Sequence, residues 1–200
     1  MSKQTDIGLI ERLLDVIEQD IVPLTRAGVA LGNKLFGAAI LRKDDLSLVV
    51  ADTNNEIDNP LWHGEVHTLK KFYELPSDQR PEPNDCIFFA THEPCSLCLS
   101  AITWTGFDNF YYLFGYTDTA DRFNIPHDLN ILEQVFKVKG GAYARENDFW
   151  KSFDLRQLIT GLDEDVRLTL EARVKALEKI YAELSDGYQS SKEDSNIPLS

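Results

Sequence analysis

Cys86-Ile87-Phe88-Phe89-Ala90-Thr91-His92-Glu93-Pro94-Cys95-Ser96-Leu97-Cys98 is the stretch that decides the fold. Its first five residues are a short apolar run and read as a strand. Pro94 then opens a helix from about Cys95 to Trp104, because proline is tolerated in a first helical turn. Strand and helix therefore meet at a pair of cysteines. Working outward, Leu35–Leu41 reads as a buried strand, Asp44-Asp45 as a turn and Leu46–Ala51 as the returning strand of a hairpin. The polar run Asp52–Pro60 is a loop, and Gly64 to about Leu75 has a helical pattern. Pro76, Pro81 and Pro83 mark the loop before the opening strand.

Downstream, Phe110–Phe114 is a further strand, Leu129–Phe136 is helical, and Gly140-Gly141 breaks the pattern. Val166, Leu170, Val174, Leu177, Tyr181 and Leu184 form a helical stripe. At the other end Leu9, Ile10, Leu13, Leu14, Ile17 and Ile21 recur at helical spacing, and this first helix is expected to stop before Pro23. A hairpin followed by alternating helices and strands implies an α/β layered sandwich. The expected division is a domain over 1–150, a helical extension over 151–186 packed on it, and a polar, disordered tail over 187–200. There is no internal repeat.

The chain has 200 residues with 43% hydrophobic content, enough for one domain with a sizeable core. Lys and Arg number 20 against 33 Asp and Glu, a formal charge of -13. Such a surface repels phosphate backbones, and no Lys/Arg cluster supplies a local patch for nucleic acid. Three cysteines, Cys86, Cys95 and Cys98, argue against a disulfide framework. The charged, amphipathic N-terminus lacks a signal-peptide core, and no run approaches the ~20 apolar residues of a membrane span. A soluble, reducing, cytoplasmic setting is expected.

The chemistry lies in His63-Gly64-Glu65 and Pro94-Cys95-Ser96-Leu97-Cys98. Two cysteines three apart at a helix start can face one point, and the helix N-terminus favours their thiolates. Soft sulfur plus one imidazole suits zinc. Three protein ligands leave a fourth position open, the catalytic arrangement. Glu65, two residues beyond His63, can lie beside the metal without binding it and pass protons to and from a water made acidic there. Two other readings compete. Cys95 and Cys98 could be a redox dithiol, or half of a structural zinc site completed by His67 or His92. Cys86, on a strand, reads as an inert buried thiol.

These residues together resemble the cytidine deaminase superfamily, with its H-x-E and P-C-x-x-C signature. In appearance the chain is nearest to the guanine and cytosine deaminase branch. The resemblance covers about Leu35 to Phe136 and includes Phe36-Gly37-Ala38, Asn54-Asn55, His63-Gly64-Glu65-Val66 and Thr91 to Ile102. It implies a three-layer α/β/α sandwich with a central mixed sheet. It implies one zinc per chain on His63, Cys95 and Cys98, with Glu65 as the proton shuttle. It also implies a hydrogen bond to the base from Asn54 or Asn55, although the loop from Asn55 to His63 is shorter than the family's. Homodimers are common in this family, through faces near the site.

Substrate contacts have two readings each. Phe36, Trp62 and Trp104 could lie against a flat base or pack the fold. Asp118, in Thr117-Asp118-Thr119-Ala120-Asp121 ahead of Phe123, could accept an amino-purine's hydrogens or cap a helix. This stretch resembles guanine deaminases more than tRNA enzymes. Phe149, Trp150 and Phe153 could form a lid or pack the C-terminal helices. The expected function is hydrolytic deamination of a free nucleobase or related heterocycle, guanine first. Cytosine or a nucleoside comes next, then tRNA adenosine. A different class remains: a zinc-stabilised, non-catalytic interaction module.

Overall fold

The computed structural model describes residues 3–199; residues 1, 2 and 200, at the ends of the expected domain and tail, lie outside the described residues. Five strands form one mixed sheet: β1 (Gly37–Arg42), β2 (Leu48–Thr53), β3 (Cys86–His92), β4 (Asn109–Phe114) and β5 (Lys151–Asp154). Their order is β2-β1-β3-β4-β5. β1 runs antiparallel to both β2 and β3, while β3, β4 and β5 are parallel. β1, β3 and β4 are buried along nearly their whole length, which is why they read as unbroken apolar runs rather than alternating ones.

Side chains nevertheless alternate between two cores. Ala39, Leu41, Ile87, Phe89, Tyr111 and Leu113 face α1 (Lys3–Val16), α2 (Val22–Ala30), α6 (Leu155–Thr160) and α7 (Glu164–Ser191). Ala38, Ile40, Phe88, Phe110 and Tyr112 face α3 (Gly64–Glu74) and α4 (Ser96–Trp104). The expected three-layer α/β/α architecture is what the chain forms. A further short helix, α5 (His127–Gln134), follows β4. Cys86 is buried, and burial pushes its thiol up to about 11, as an inert cysteine requires.

Several local expectations need correction. The first helix does not stop before Pro23. A π turn over Ile17–Ile21 joins α1 to α2, and Val22 donates to the Ile17 carbonyl five residues back. Pro23 then sits in the first turn of α2, directly after the π turn. β2 begins at Leu48 rather than Leu46, because Leu46 adopts a left-handed φ of 58° and belongs to the turn. The carboxylates of Asp44 and Asp45 hold that turn by accepting the Asp45 and Ser47 N–H groups. Pro94 precedes α4 instead of opening it, and Cys95 is the N-cap.

The largest difference lies after Trp150. Lys151-Ser152-Phe153-Asp154 is β5, paired with β4, so the segment expected to be only helical begins as a strand of the central sheet. Asp154 then caps α6 by accepting the Arg156 and Gln157 N–H groups. α7 runs to Ser191, into the segment expected to be a disordered tail. Tyr188 and Ile197 are buried there, giving that polar stretch two apolar anchors. Among the described residues, no helix is long and apolar enough to cross a membrane.

Candidate active site

α3 and α4 pack side by side on one face of the sheet, and both present their N-termini to one point. His63 is the N-cap of α3 and Glu65 lies in its first turn. Cys95 is the N-cap of α4, and Cys98 follows in its first turn. His63 Nδ1 stands 3.4 Å from Cys95 Sγ and 3.8 Å from Cys98 Sγ, and the sulfurs are 3.6 Å apart. A tetrahedral zinc with ordinary bond lengths needs about 3.8 Å between sulfurs and about 3.6 Å from sulfur to nitrogen. The donor set therefore fits zinc in both chemistry and spacing. It is the one such cluster of three among the described residues.

The competing fourth ligands are elsewhere. His67 Nδ1 faces the Thr53 carbonyl at 2.9 Å and Asp52 at 3.3 Å, and its ring stacks on Trp62. His92 lies in the core among the rings of Phe36, Phe114, Phe123 and Tyr181. Burial, helped by Arg156, holds His92 neutral with its pKa down at about 3. Neither completes a structural site, so the cluster keeps the three-ligand form.

Proton affinities are shifted strongly here. Burial pushes the Glu65 carboxyl up, the negative charge of Cys95 adds to it, and the result is about 7. Burial works against charge on His63, but the Cys95 thiolate beside it lifts the imidazole to about 9. A hydrogen bond from Cys98 lowers the Cys95 thiol, and burial raises that of Cys98. The buried dithiol thus holds one thiolate readily and a second only with a cation between them. Glu65 Oε2 lies 3.3 Å from Cys98 Sγ, which places the carboxylate against the ligand cluster without joining it.

Loops before α3 fix this geometry. Asn54 Oδ1 accepts the Gly64 N–H at 2.5 Å, giving α3 the cap that His63 does not supply. Asn54 Nδ2 donates to Glu56 Oε2 at 2.6 Å, and Glu56 Oε1 accepts from Lys34 Nζ at 2.9 Å. A Cβ at Gly64 would stand 2.8 Å from the Phe36 carbonyl oxygen and 2.9 Å from Gly37 Cα. The absent side chain lets the first turn of α3 rest directly on the start of β1.

The residues expected to touch substrate separate into near and far. Asn54 is buried beside the cluster with its amide engaged as above, whereas Asn55 bonds Asp58. Phe36 is buried, edge-on to His92, and its carbonyl accepts from Asn54 N–H. Trp62 is half-buried beside His63, with Lys70 over its ring. Trp104 is 89% exposed at the far end of α4, about 13 Å along the helix from Cys95, and does not belong to the site. Asp118 is committed to the Gly115 N–H, Arg122 and Arg156, and it caps no following helix. Trp150 donates to Thr103 and packs on Phe110, and Phe153 stacks on Tyr111 in the sheet. Phe149 is exposed. Trp150 and Phe153 are packing residues.

Sequence reasoning missed Lys34, Glu56 and Asp128. Asp128, half-buried in the first turn of α5, is pushed well up by burial and by the negative charges of Cys95 and Glu65, so it shares the site's field. The signal available was slight: a charge two residues after Asn54 and another two before Phe36.

Residues 17–114 match the cytidine and deoxycytidylate deaminase zinc-binding region. The chain is 29% identical over 89 residues to a guanine deaminase of Bacillus subtilis, covering 43% of this chain and 54% of that protein. It is 29% identical over 93 residues to a tRNA-specific adenosine deaminase of Rickettsia felis, covering 44% and 63% respectively. The matches thus span less than two thirds of either relative. Among solved structures, a guanine deaminase from Nitrosomonas europaea aligns with a TM-score of 0.46 at 18% identity, over 85% of this chain and 81% of that one. His63, Glu65, Cys95 and Cys98 all lie inside the matched segment, and over it the chain is similar to the cytidine and deoxycytidylate deaminases.

Proposed function

We propose that this protein hydrolytically deaminates a free nucleobase or related aminated heterocycle, guanine foremost. The observation that carries this reading is Glu65, buried against a three-ligand metal cluster with its pKa at about 7. A general base or acid works best with a pKa near the working pH. Zinc on His63, Cys95 and Cys98 supplies an acidified water at neutral pH. Glu65, beside that position, would take up the proton released as a water oxygen bonds to the amine-bearing ring carbon. It returns the proton to the adjacent ring nitrogen. A second proton passed through Glu65 lets the carbon–nitrogen bond break, and ammonia leaves. Asp128, which shares the field of Cys95 and Glu65, is the carboxyl group proposed to meet the N–H groups of an amino-purine. Similarity to the Bacillus subtilis guanine deaminase over this segment favours guanine among the bases.

The test is ammonia release by the zinc-loaded protein from guanine, cytosine, adenine and their nucleosides. Guanine is expected to react fastest. A faster reaction with cytosine moves the assignment to the runner-up. A salt-dependent affinity for tRNA with adenosine deamination would favour the activity named for the Rickettsia felis relative, against the charge of -13. No ammonia from any of them would leave the non-catalytic zinc module standing.

The partner proposed is a second copy of the chain. α4 turns Leu97 and Trp104 outward, and Val135 and Phe136 are exposed just after α5, which packs beside it. Single exposed apolar residues are ordinary, but a stripe of them on a ligand-bearing helix is the kind of face that subunits cover. Sedimentation at micromolar concentration is expected to give a dimer, weakened by Trp104→Ser. A monomer there rejects the pairing.

A further inference from the structure

Lys34 and Glu56 form an ion pair that the reaction above does not use. Their side chains are only 7% and 2% exposed, with Nζ and Oε1 2.9 Å apart. A buried ion pair gives little net stability over apolar residues of similar size, because both charges lose their water. This one lies beside the metal cluster. Glu56 Oε1 also faces His63 Nε2 at 3.7 Å, while Oε2 takes the Asn54 amide. Asn54 in turn holds the first N–H of α3.

His63 presents Nδ1 to the two sulfurs, so Nε2 is its outward nitrogen. With Nδ1 bound to a metal, the ring proton resides on Nε2, and metal-bound imidazoles characteristically give that proton to a carboxylate or carbonyl. The carboxylate facing Nε2 here is Glu56. The 3.7 Å separation is an ion-pair distance. We propose that Glu56 is a positioning residue for the zinc ligand His63, and that Lys34 is the cation that pairs with the Glu56 carboxylate and holds it in place. One carboxylate thereby sets both the His63 ring, directly, and the start of α3, through Asn54. Lys34 balances a charge that would otherwise add to Glu65 and two thiolates.

This inference rests on the metal site alone, so it can fail while the deaminase reading holds, and the reverse. The test uses the full chain as wild type, Glu56→Gln, Lys34→Met and the double variant. Zinc affinity is read by competition with a chromophoric chelator, ligand geometry by the visible bands of the cobalt(II) form, and folding by thermal melting. Glu56→Gln is expected to fold and to lose about 10–100-fold in zinc affinity, with shifted cobalt bands. Lys34→Met leaves a buried carboxylate without its cation and is expected to melt lowest. The double variant recovers stability but not zinc affinity. A purely structural pair would behave otherwise. If Glu56→Gln or the double variant folds and binds zinc with wild-type affinity and unchanged cobalt bands, the proposal is overturned.

Discussion

Glu65→Gln is expected to leave the protein folded and zinc-loaded while lowering kcat by about 10²–10⁴-fold. Glutamine keeps the size and planar end of the side chain and can still meet Cys98 Sγ, now 3.3 Å from Oε2. What it loses is the ability to take up and return a proton near neutral pH. The ligands His63, Cys95 and Cys98 are untouched, so metal content by atomic spectroscopy should match wild type. Thermal stability at neutral pH should hold or rise. Glu65 is 4% exposed and its folded pKa is raised, so its burial is least costly when it is protonated. That cost grows as pH climbs from the usual carboxylate range towards about 7, and glutamine never incurs it. Steady-state ammonia release beside the zinc assay decides the matter. A folded, zinc-loaded variant with wild-type kcat would remove Glu65 from the reaction.

Gly64→Ala is the second change with a large expected effect, and it acts through packing alone. The added Cβ would stand 2.8 Å from the Phe36 oxygen and 2.9 Å from both the Phe36 carbonyl carbon and Gly37 Cα. All of these are backbone atoms, so no side chain can swing aside. The first turn of α3 must lift from β1, carrying His63 on one side and Glu65 on the other. Overpacking of this kind costs about 1–3 kcal/mol. A shift approaching 1 Å between reacting groups costs roughly 10²-fold in rate. Both zinc affinity and kcat should therefore fall. Gly8→Ala is the control, since its Cβ would meet nothing within 4 Å. Wild-type activity and zinc affinity in Gly64→Ala would show that α3 tolerates the displacement.

The sequence carried the ligand cluster because three residue types at fixed spacing have little other use. It carried β1, β3 and β4 because strands buried on both faces are unbroken apolar runs. It failed where the signal depends on tertiary context. Lys151-Ser152-Phe153-Asp154 has two charges in four residues and becomes a strand only by pairing with β4. Pro23 looked like a helix stop because nothing in the residues announced a π turn ahead of it. Trp104 looked like a site residue from its nearness in sequence to Cys98, yet helix geometry carries it to the far end. Asn54 was legible as important but not as a cap. Lys34 and Glu56, 22 positions apart, come together only once the loops close.

α7 carries none of His63, Cys95 and Cys98 and packs on the sheet face opposite α3 and α4, yet it bears on how the site can move. Its 28 residues make a rod about 42 Å long. Arg173, near its middle, grips Asp15 and Glu18 on the N-terminal helices. Towards its end, Ser185 and Gln189 donate to the Phe123 carbonyl, and Gly187 abuts Val29. Just beyond, Ser195 and Asn196 share a cavity wall with Leu31, Gly32 and Ile57. Those last residues flank Lys34 and Glu56. The loops that carry them are thus hinged to the final turns of a distant helix, and the two ends form one cooperative unit in opening. Amide exchange at the 54–57 loop is then expected to quicken when the last turns of α7 are loosened.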